Sequence, residues 1–588
     1  MSASRYIQVL LPLKLDWEPT YALPEGSEVQ IGDRLEVEFA HRKYSGIVTS
    51  VDVTPEAGVD IKEACWHKTP DQVGGDEKPA ATSPSLPGKT TPSLPAATSP
   101  SLPAATSQSL PAATGNLLSF WRQLASYYLC TPGEVFKAAS IPERPIKRQP
   151  RKKEKTAVPV QLSLEQEAAY SSIIDAFSRH KTVLLEAPAG SGKTELYLRL
   201  AADAMSRGES VLYLVPDIGL TKQLEEKVSR VFPDTLAYHS GRTPLARHRI
   251  ALEVAGEEPR FVLGTRSAIF LPFRDLGLII VDQEHDSSFK QESPAPRFNA
   301  REASIMLAQC FGANVILGSA TPSLESLYNA ETGLFTKIDL KESLSNGSAE
   351  ISVINTSAEI RKGGMSGEFS LKLLEEIKAA LAAGLPVTVL RTQRYSPLIE
   401  DGLARLYPGA DIQVCGRKEV RTLDLSGSGL CVIMHADAFL ASANFRSDER
   451  ALQLLRLLQG PEGSRRLVIQ THEPKHPVFQ ALRSGSSGLV FLDERRQFNL
   501  PPFTRLVDIV ISDSNPKRLN YMSRLLASSL NKTPDQVVGD GRASSTLRIT
   551  LPRDRSLKAR KAAIYAAVKS FEKDHKYIGH IVIDVDPA

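Results

Sequence analysis

The first part of the chain alternates apolar and polar residues in short runs. These runs read "RYIQVLLPL", "DRLEVEFA" and "YSGIVTSVDV", and turn signals such as Gly32-Asp33 separate them. The pattern predicts β-strands, and we expect a small β-barrel over residues 6–53. Further along, "LLSFWRQLASYYLCTPGEVFKAA" has the apolar spacing of an amphipathic helix followed by a turn.

From residue 161 to about residue 336, apolar strands alternate with helical patterns. The strands read "TVLLEA", "VLYLVP", "RFVLGT", "LGLIIVD" and "NVILGSA". This alternation predicts a parallel sheet with helices on both faces. A second α/β region runs to about residue 500, and an α+β module over residues 501–588 ends in the strand "HIVIDVDP". We therefore expect a multidomain α/β protein.

Two segments interrupt this pattern. Residues 65–114 hold an eight-residue repeat that starts PSLPGKTT, PSLPAATS, PSLPAATS and lacks the residues a core needs. We expect a disordered, partly polyproline-II tether there. Residues 141–160 include "ERPIKRQPRKKEK". This basic segment is either a solvated interdomain linker or a contact with a phosphate backbone.

Composition narrows the functional classes. With 588 residues, 42% hydrophobic and 23% charged, the chain is typical of a soluble globular protein. The net charge of +4 is small, so a nucleic-acid partner has to be inferred from local basic patches. We find neither a membrane-length apolar stretch nor a signal-peptide pattern, and we expect a cytoplasmic protein without a membrane partner. The five cysteines are scattered without a CxxC pair, which favours buried free thiols over disulfides or a zinc site.

The strongest motif is "EAPAGSGKTE", which follows an apolar strand and opens a helical pattern. This is the context of a phosphate-binding loop. The amides around Gly190, Ser191 and Gly192 would cradle phosphates at the helix N-terminus. Lys193 would reach the β and γ phosphates and Thr194 would hold Mg²⁺. The sequence therefore predicts a nucleotide site.

Three further features stand in the order expected around such a loop. Gln166 lies upstream, where superfamily 2 helicases carry an adenine-reading glutamine; the alternative is an ordinary polar helix residue. Asp282 ends a strand where a second carboxylate would hold Mg²⁺ through water. "GSATPS" (318–323) ends the next strand, where an element linking the nucleotide site to DNA movement is expected. Together they are more specific than any one alone.

Several of these motifs resemble those of one family. "APAGSGKTELYLRL", "YLVPDIGLTKQ", "FVLGTRSAIFLPFRDLGLIIVDQEHDSSFKQE" and "LGSATPSLESL" are similar to successive motifs of the PriA replication-restart helicase family, or primosomal protein N′. "QVLLPL" and "ASYYLCTPGEVFKAA" resemble that family's DNA 3′-end-binding domain. "ANFRSDERALQLL" and "NLPPFTRLVDIVI" resemble its second lobe and C-terminal region. The resemblance covers most of the chain apart from the tether and linker.

The resemblance implies an architecture and a set of partners. We expect two RecA-like lobes of a P-loop helicase core, an N-terminal β-rich DNA-binding domain and a C-terminal α+β domain. Their expected bounds are 1–64 with 115–140 for the DNA-binding domain, 161–336 for the ATP-binding lobe, 337–500 for the second lobe and 501–588 for the C-terminal domain. The implied partners are stalled forks, branched DNA, 3′ ends and single strands. Primosome proteins, a helicase loader and single-stranded DNA-binding protein would follow from the same resemblance.

The resemblance also implies roles for individual residues. Lys193 and Thr194 would bind ATP and Mg²⁺, and Asp282 would bind Mg²⁺. Aromatic and cationic side chains of lobe 1 would face DNA, because they suit single-stranded bases and backbone; these are Arg266, Phe289, Lys290, Arg297 and Phe298. Core packing is the alternative for the two phenylalanines, and a structural salt bridge for Arg266. In the 3′-end pocket, Pro19 replaces an expected aromatic residue, which leaves the weaker candidates Thr20 and Tyr21.

The chain departs from the family at residues that serve hydrolysis. The family box Asp-Glu-Glu-His reads here Asp282, Gln283, Glu284, His285. We assign this box as the catalytic segment with a degenerate base, because glutamine can bind a water molecule but cannot take its proton. Loss of a positioned base costs on the order of 10²–10⁴ in rate. Some nucleotide hydrolases nevertheless orient water with glutamine.

The second lobe departs further. The family's "AGRAGR" element is replaced by "RLLQGPEGSRRLVIQT", where Arg465 and Arg466 stand at a shortened spacing. An arginine finger is worth on the order of 10³–10⁵ in rate. The element "GTQM…KGHHFP" is not recognisable, and the eight zinc-binding cysteines are absent from the sequence, so zinc is not expected.

These departures leave three hypotheses. The first is a PriA-like restart protein that binds forks and ATP, with helicase activity weak or lost. The second is an active ATP-dependent 3′→5′ DNA helicase with a divergent second lobe, which ATP turnover lost in Lys193→Ala would support. The third is a protein-interaction scaffold, against which tight binding to a fork with a free 3′ end would count.

Overall fold

The structure is a computed structural model of the chain. It describes residues 5–24, 26–55, 61–62, 64, 110–143, 160–188, 190–216, 218–340, 350–391, 397–416, 419–421, 429–440, 444–460, 465–485, 488–530, 544–575 and 580–587. Nearly all of the predicted tether and most of the basic linker lie outside these residues. The expectations for those two segments therefore stay predictions.

The N-terminal region forms an antiparallel sheet of four strands. They are β1 Tyr6–Leu10, β2 Thr20–Ala22, β3 Arg34–Phe39 and β4 Arg42–Val51, in the order β2-β1-β4-β3. Ile7, Val9 and Val37 lie in one buried cluster because alternate residues of a strand point to the same face. Within the described residues β2 and β3 do not pair, so the predicted barrel is not closed and the element is an open sheet.

Two helices follow this sheet and confirm the predicted amphipathic helix and turn. They are α1 Gly115–Tyr128 and α2 Pro132–Ala139. The hydroxyl of Thr114 caps α1 by accepting from the Leu117 amide. Thr131 and Glu134 form a reciprocal capping box at the start of α2. The caps satisfy amides that have no partner inside either helix.

The third region is the predicted first α/β lobe. Its seven parallel strands are ordered β11-β5-β10-β9-β6-β8-β7. Leu184 enters one buried cluster, whereas its neighbours Val183 and Leu185 enter another, so both faces of the sheet are covered. The elements are α3 Leu164–Ser178, β5 Thr182–Glu186, α4 Lys193–Ser206, β6 Ser210–Leu214, α5 Ile218–Val231, β7 Leu236–Tyr238, α6 Pro244–Val254, β8 Phe261–Gly264, β9 Leu276–Asp282, α7 Ala300–Phe311, β10 Asn314–Ser319, α8 Leu324–Glu331 and β11 Phe335–Asp339.

The second lobe contains a smaller parallel sheet. Its five strands are ordered β12-β18-β17-β15-β16, and a two-stranded ribbon, β13 with β14, lies beside it in sequence. The elements are β12 Ile351–Asn355, α9 Thr356–Arg361, β13 Met365–Ser366, β14 Phe369–Ser370, α10 Leu371–Ala382, β15 Val387–Arg391, α11 Pro397–Leu406, β16 Ile412–Gly416, β17 Leu430–Met434, α12 Asp437–Leu440, α13 Ser447–Gln459, β18 Arg466–Thr471, α14 Pro477–Arg483 and α15 Val490–Gln497. The predicted second α/β region is confirmed.

The C-terminal module is α+β, as predicted. Its elements are β19 Thr504–Ser512, α16 Pro516–Ser529, β20 Ser544–Pro552, α17 Leu557–Asp574 and β21 His580–Val585. The strands form an antiparallel sheet in the order β20-β19-β21. The module contacts the N-terminal region, where the Tyr127 hydroxyl donates to Asp586 over 2.8 Å. Its α17 also pairs Lys569 with Asp16 at 3.3 Å.

A buried group of charged side chains joins the two lobes; we call it the interlobe ion cluster. Glu325 of α8 pairs with Arg446, 2.7 Å away, and Glu449 of α13 pairs with Arg495 of α15 at 2.6 Å. Glu449 also accepts a hydrogen bond from the Leu324 amide, at 2.9 Å. Because all four side chains are largely buried, each charge depends on the others for compensation.

Candidate functional site

The phosphate-binding loop connects β5 to α4. Gly190 and Gly192 adopt left-handed backbone angles, with φ of +86° and +83°, which suit glycine. Gly192 stands at the N-cap of α4 and has no side chain that could occupy the helix N-terminus. The first amides of this 14-residue helix are thus placed as anion donors. Ser191 of the loop is buried.

Lys193 and Thr194 begin α4 beside these amides. The Lys193 ammonium donates to the carbonyls of Ala187 and Pro188, each over 2.6 Å. Burial lowers the pKa of Lys193, and the Asp282 carboxylate partly offsets that shift. Backbone carbonyls are neutral acceptors, and a phosphate group is a stronger one. The donor set therefore fits a nucleotide phosphate, with Thr194 in the first turn available to a metal ion.

Gln166 lies against the same loop. It occupies the third position of α3 and forms a capping box with Ser163. Its side-chain nitrogen donates to the Gly192 carbonyl over 3.2 Å. A Cβ atom at Gly192 would stand 2.0 Å from that nitrogen and would displace the Gln166 side chain, and the left-handed backbone of Gly192 also favours glycine. Gln166 thus supports the loop; its contact with adenine stays a prediction.

Asp282 ends β9 and faces the loop. Its carboxylate accepts from the Tyr213 hydroxyl, 3.2 Å away, and from the Gln283 amide, 3.0 Å away. Burial raises the pKa of Asp282, and the Lys193 ammonium partly offsets the shift. A carboxylate that interacts with the Lys193 ammonium of the loop suits an Mg²⁺ ion bound with the nucleotide. Tyr213 lies on β6, and its contact with Asp282 was not predicted from the sequence. Its hydroxyl group in an otherwise apolar strand was the signal that could have indicated such a contact.

Gln283 follows with a left-handed backbone, φ +52°. This angle turns the chain sharply away from the strand, and the amide of Asp286 closes the turn by donating to the Gln283 carbonyl at 2.8 Å. The side chain of Gln283 is half-buried. Its amide can hydrogen-bond a water molecule but has no basic site for the proton. The effect of Gln283 on ATP hydrolysis therefore stays a prediction.

Glu284 is not placed for catalysis, and its assignment to the catalytic segment is wrong. Its side chain is buried, with 1% exposure. It accepts from the Ser323 amide at 2.6 Å, the Ser323 hydroxyl at 2.9 Å, the Ser326 hydroxyl at 3.0 Å and the Arg301 guanidinium at 2.8 Å. These donors occupy the acceptor positions of the carboxylate, so it holds β9 to α7 and α8.

His285 connects the acidic box to the "GSATPS" segment. One ring nitrogen lies 2.7 Å from the Ser319 hydroxyl, and the other lies 3.5 Å from the Thr321 hydroxyl. The Gln453 side chain of α13 reaches the same segment from the second lobe and donates to the Thr321 carbonyl at 3.4 Å. The two predicted motifs thus lie together, and α13 of the second lobe contacts them.

The residues predicted to face DNA in lobe 1 are mostly structural. Phe289 and Phe298 are buried, with 1% and 0% exposure, so core packing is the correct alternative and DNA stacking is wrong. Lys290 is also buried, and its ammonium pairs with Asp584 of β21 at 2.6 Å. The C-terminal module therefore covers a segment that its local sequence predicts to be exposed to solvent.

The two arginines of this group differ from the phenylalanines. Arg266 donates to the carbonyls of Ser288 and Lys290 at 2.8 Å and 3.4 Å. These contacts are structural, but their acceptors are backbone carbonyls, whereas the predicted salt bridge would need an acidic side chain. Arg297 is half-exposed, and its carbonyl accepts from the Lys290 ammonium at 2.7 Å. A DNA contact of either guanidinium stays a prediction.

In the N-terminal sheet, Tyr21 is a core residue rather than a pocket residue. It is 3% exposed, and its hydroxyl donates to the Glu38 carbonyl at 3.2 Å. Burial raises the pKa of Tyr21 to about 12. Thr20 is half-buried, and its role stays a prediction. Trp17 was not predicted: it is 60% exposed and meets Phe39 edge-on with ring centroids 6.1 Å apart, so it offers an aromatic face to a base.

The arginines that follow α13 are engaged away from the loop. Arg465 donates to the carbonyls of Leu457 and Leu458, at 3.3 Å and 3.4 Å, and so closes the C-terminus of α13. Arg466 pairs with Glu376 at 2.7 Å and with Glu350 at 3.1 Å. Both guanidinium groups are engaged within the second lobe, and the loss of the arginine element stays a prediction.

Cys415 and Cys431 lie buried in the second lobe. Burial raises the pKa of each thiol to about 11, which disfavours the thiolate that a metal would need. Among the described residues, no group of three or more histidine, cysteine, aspartate and glutamate side chains is placed to hold a metal ion. In that same part of the chain, none of the helices has the length and apolarity that crossing a membrane requires.

Comparison with known proteins agrees with this geometry. The DEAD/DEAH box helicase family matches residues 165–330, and the family described as 3′DNA-binding domain (3′BD) matches residues 8–67. Replication restart protein PriA of Bacillus subtilis (strain 168) is 28% identical in an alignment that covers 61% of this chain and 57% of that protein. The PriA of Rickettsia felis is 24% identical in an alignment that covers 99% of each chain. The Haemophilus influenzae PriA is 35% identical over 240 residues, 40% of this chain and 32% of that one.

The segment that holds the phosphate loop and the acidic box, residues 165–330, is similar to the DEAD/DEAH box helicases. Residues 8–67, which precede it, are similar to the 3′ DNA-binding domain. Within the class, the chain is a relative of the replication restart proteins PriA, and the resemblance inferred from its motifs is confirmed.

Proposed function

We propose that this chain is a PriA-like replication restart protein that binds branched DNA and ATP, and that it hydrolyses ATP and unwinds DNA weakly or not at all. The observation that carries the proposal is a contrast within the motor. The phosphate loop keeps its donors, whereas the base position is Gln283 and both arginines after α13 are engaged elsewhere.

Each retained residue has a role in binding. The amides of α4 and the Lys193 ammonium would bind the phosphates. Thr194 and Asp282 would hold Mg²⁺, which supplies charge neutralisation to the nucleotide. Gln283 would orient a water molecule without accepting its proton, so the step that needs a base is slow.

DNA binding is assigned to the N-terminal domain. The match to a 3′ DNA-binding domain and the exposed ring of Trp17 support contact with a 3′ end at a fork. The names of the PriA relatives support a place in replication restart. Primosome proteins and a helicase loader are the partners that the resemblance of the motifs implies. None of these contacts needs ATP hydrolysis, which fits a binding protein with a weakened motor.

DNA-stimulated ATP hydrolysis tests the proposal. We expect the wild-type rate to stay near the rate without DNA, and Gln283→Glu to raise it by on the order of 10² if the missing base is the main defect. Gln309→Glu, the same change at an exposed position of α7, should have no effect. Vigorous wild-type turnover that disappears in Lys193→Ala would contradict the proposal and support an active helicase.

Fork binding tests the part of the proposal that concerns DNA. We expect the wild-type chain to bind a fork with a free 3′ end equally well with and without ATP, as measured by fluorescence anisotropy. A fork with a blocked 3′ end is the control. Failure to bind either fork would leave an interaction scaffold as the better explanation.

A further inference from the structure

The last copy of the eight-residue repeat packs on the N-terminal sheet. It reads LPAAT over residues 110–114 and leads directly into α1. Leu110 is 5% exposed and belongs to the buried cluster that also contains Leu10 of β1 and Ile47 of β4. Ala113 is likewise buried, with 4% exposure. This copy of the repeat is therefore part of the folded N-terminal region.

Backbone atoms of the segment make its polar contacts with the sheet. The Ala113 amide donates to the Gly32 carbonyl at 2.8 Å, and the Arg34 guanidinium donates to the Pro111 carbonyl at 3.3 Å. A Cβ atom at Gly32 would stand 2.1 Å from the Ala113 carbonyl oxygen, so the two backbones approach closely. We call Gly32 and Arg34, together with the apolar cluster around Leu110, the repeat site.

The side chains of the segment also meet specific requirements. The buried leucine supplies the apolar contact, and the proline fixes φ, which lowers the entropy lost when an extended segment binds. The alanine fits a buried position where a long charged side chain would lose its hydration. The Thr114 hydroxyl accepts from the Leu117 amide at 3.2 Å and caps α1. The site thus selects a short sequence rather than any extended segment.

The same sequence occurs at two other places in the chain. LPAAT stands at residues 94–98 and 102–106, and a divergent copy, LPGKT, stands at residues 86–90. These copies lie outside the described residues. The two exact copies present the same five side chains as the packed copy, whereas LPGKT has Lys89 in place of the buried Ala113. Two further segments of the chain therefore match the repeat site, and LPGKT does not.

We propose that the repeat site binds LPAAT as a peptide motif, and that residues 102–106 of the same chain occupy it in exchange with residues 110–114. The contacts of the motif with the site are the same in both registers, because the two sequences are identical. Residues 110–114 dominate because they continue into α1, whereas the other register closes an eight-residue loop before Gly115. A neighbouring segment of the same chain has a far higher effective concentration than a second chain, which makes it the occupant. Exchange shortens by eight residues the segment between Ala64 and the repeat site.

Amide hydrogen exchange of the full-length chain, resolved by mass spectrometry, tests the proposal. Leu110→Asp removes the apolar anchor of the packed copy, so residues 102–106 should take its place. We expect exchange of the Ala105 amide, the counterpart of the Ala113 amide, to slow by about tenfold or more relative to the wild type. Protection of β3 and β4 should match the wild type, because the site stays filled.

A pair of double variants identifies the occupant. Leu102→Asp/Leu110→Asp should remove the protection of Ala105, whereas Leu86→Asp/Leu110→Asp, the same change in the divergent copy, should retain it. Ala113→Lys, which gives the packed copy the fourth residue of LPGKT, should protect Ala105 as Leu110→Asp does.

Exchange of Ala105 at the wild-type rate in Leu110→Asp would overturn the proposal. Loss of protection in β3 and β4 of that variant would overturn it as well, because it would mean that no other copy fills the site. Protection of Ala105 that increases with protein concentration, together with a dimer in sedimentation velocity, would identify a second chain as the occupant and refute exchange within one chain. Deletion of residues 107–114 places residues 102–106 directly before Gly115, and a melting temperature below that of the wild type would contradict recognition of LPAAT as a motif.

Discussion

Two regions of lobe 1 lie side by side and differ in the partners of their charged side chains. The nucleotide face contains Lys193 and Asp282, whose partners are backbone carbonyls, a backbone amide and one tyrosine hydroxyl. The junction contains Glu284 with Arg301, together with the interlobe ion cluster. At the junction each carboxylate is matched by a guanidinium. Asp282 and Glu284 are only two residues apart in sequence, yet they belong to different regions.

This difference in partners distinguishes residues suited to binding a ligand from residues that stabilise the fold. Charges on the nucleotide face can exchange their protein partners for a ligand, because neutral carbonyl acceptors hold Lys193 and neutral amide and hydroxyl donors hold Asp282, and hydrogen bonds with neutral partners are weaker than those between charged groups. Charges at the junction cannot, since removal of one partner leaves another buried without compensation. We therefore expect substitutions at the junction to lower stability, and substitutions on the nucleotide face to lower ligand affinity.

The largest expected effect is at the junction. Arg495→Met should lower the free energy of unfolding by about 3–5 kcal/mol, because Glu449 would lose the guanidinium that lies 2.6 Å away. Chemical denaturation followed by circular dichroism measures the change. Methionine keeps much of the side-chain volume, so the loss reports charge rather than a cavity.

The next residue of α15 gives the control. Arg496 is 66% exposed by side chain, and its guanidinium lies 4.9 Å from the Phe503 ring centroid. Arg496→Met should cost about 1 kcal/mol or less. Equal losses for Arg495→Met and Arg496→Met would mean that the interlobe ion cluster is not the source of stability, and the distinction between the two regions would fail.

The nucleotide face should give the reverse result. We expect Lys193→Ala to weaken ATP binding on the order of 100-fold, since it removes the charged hydrogen-bond donor to the phosphates. Stability should change by less than about 1 kcal/mol, because burial already disfavours the charged ammonium. Calorimetric titration and denaturation of the same sample measure both. Lys181→Ala, at an exposed position before β5, should alter neither.

The local motifs made the nucleotide face predictable. A phosphate loop is a continuous segment, so Gly190, Gly192 and Lys193 could be assigned from spacing alone. The central strands were also predictable, because strands covered on both faces are continuously apolar. The strands β7, "LAY", and β11, "FTKID", were not predicted, because β7 has only three residues and polar residues interrupt β11.

The buried segment after the acidic box could not be predicted from the same information. Lys290 pairs with Asp584, which lies 294 positions later in the chain, and no local sequence pattern predicts that contact. Phe289 and Phe298 have the composition of a DNA-binding segment but are buried in the core. Glu284 likewise lies two positions after Asp282, which the sequence predicts to bind Mg²⁺, and only the donors from α7 and α8 show that Glu284 is structural.

Tyr213 gives the smallest and most direct test of the comparison, because its hydroxyl links Asp282 of the nucleotide face to β6. Tyr213→Phe should lower the Mg²⁺ concentration needed for half-maximal ATP affinity by about threefold to fivefold, since one hydrogen bond of about 1 kcal/mol no longer competes for the carboxylate. Titration of Mg²⁺ at fixed ATP measures this. Tyr170→Phe removes another tyrosine–aspartate hydrogen bond of lobe 1, to Asp203 at 2.5 Å, and should not change the Mg²⁺ dependence. An unchanged Mg²⁺ requirement in Tyr213→Phe would mean that Asp282 is held as firmly as Glu284, and that the two regions do not differ in how readily they release their partners.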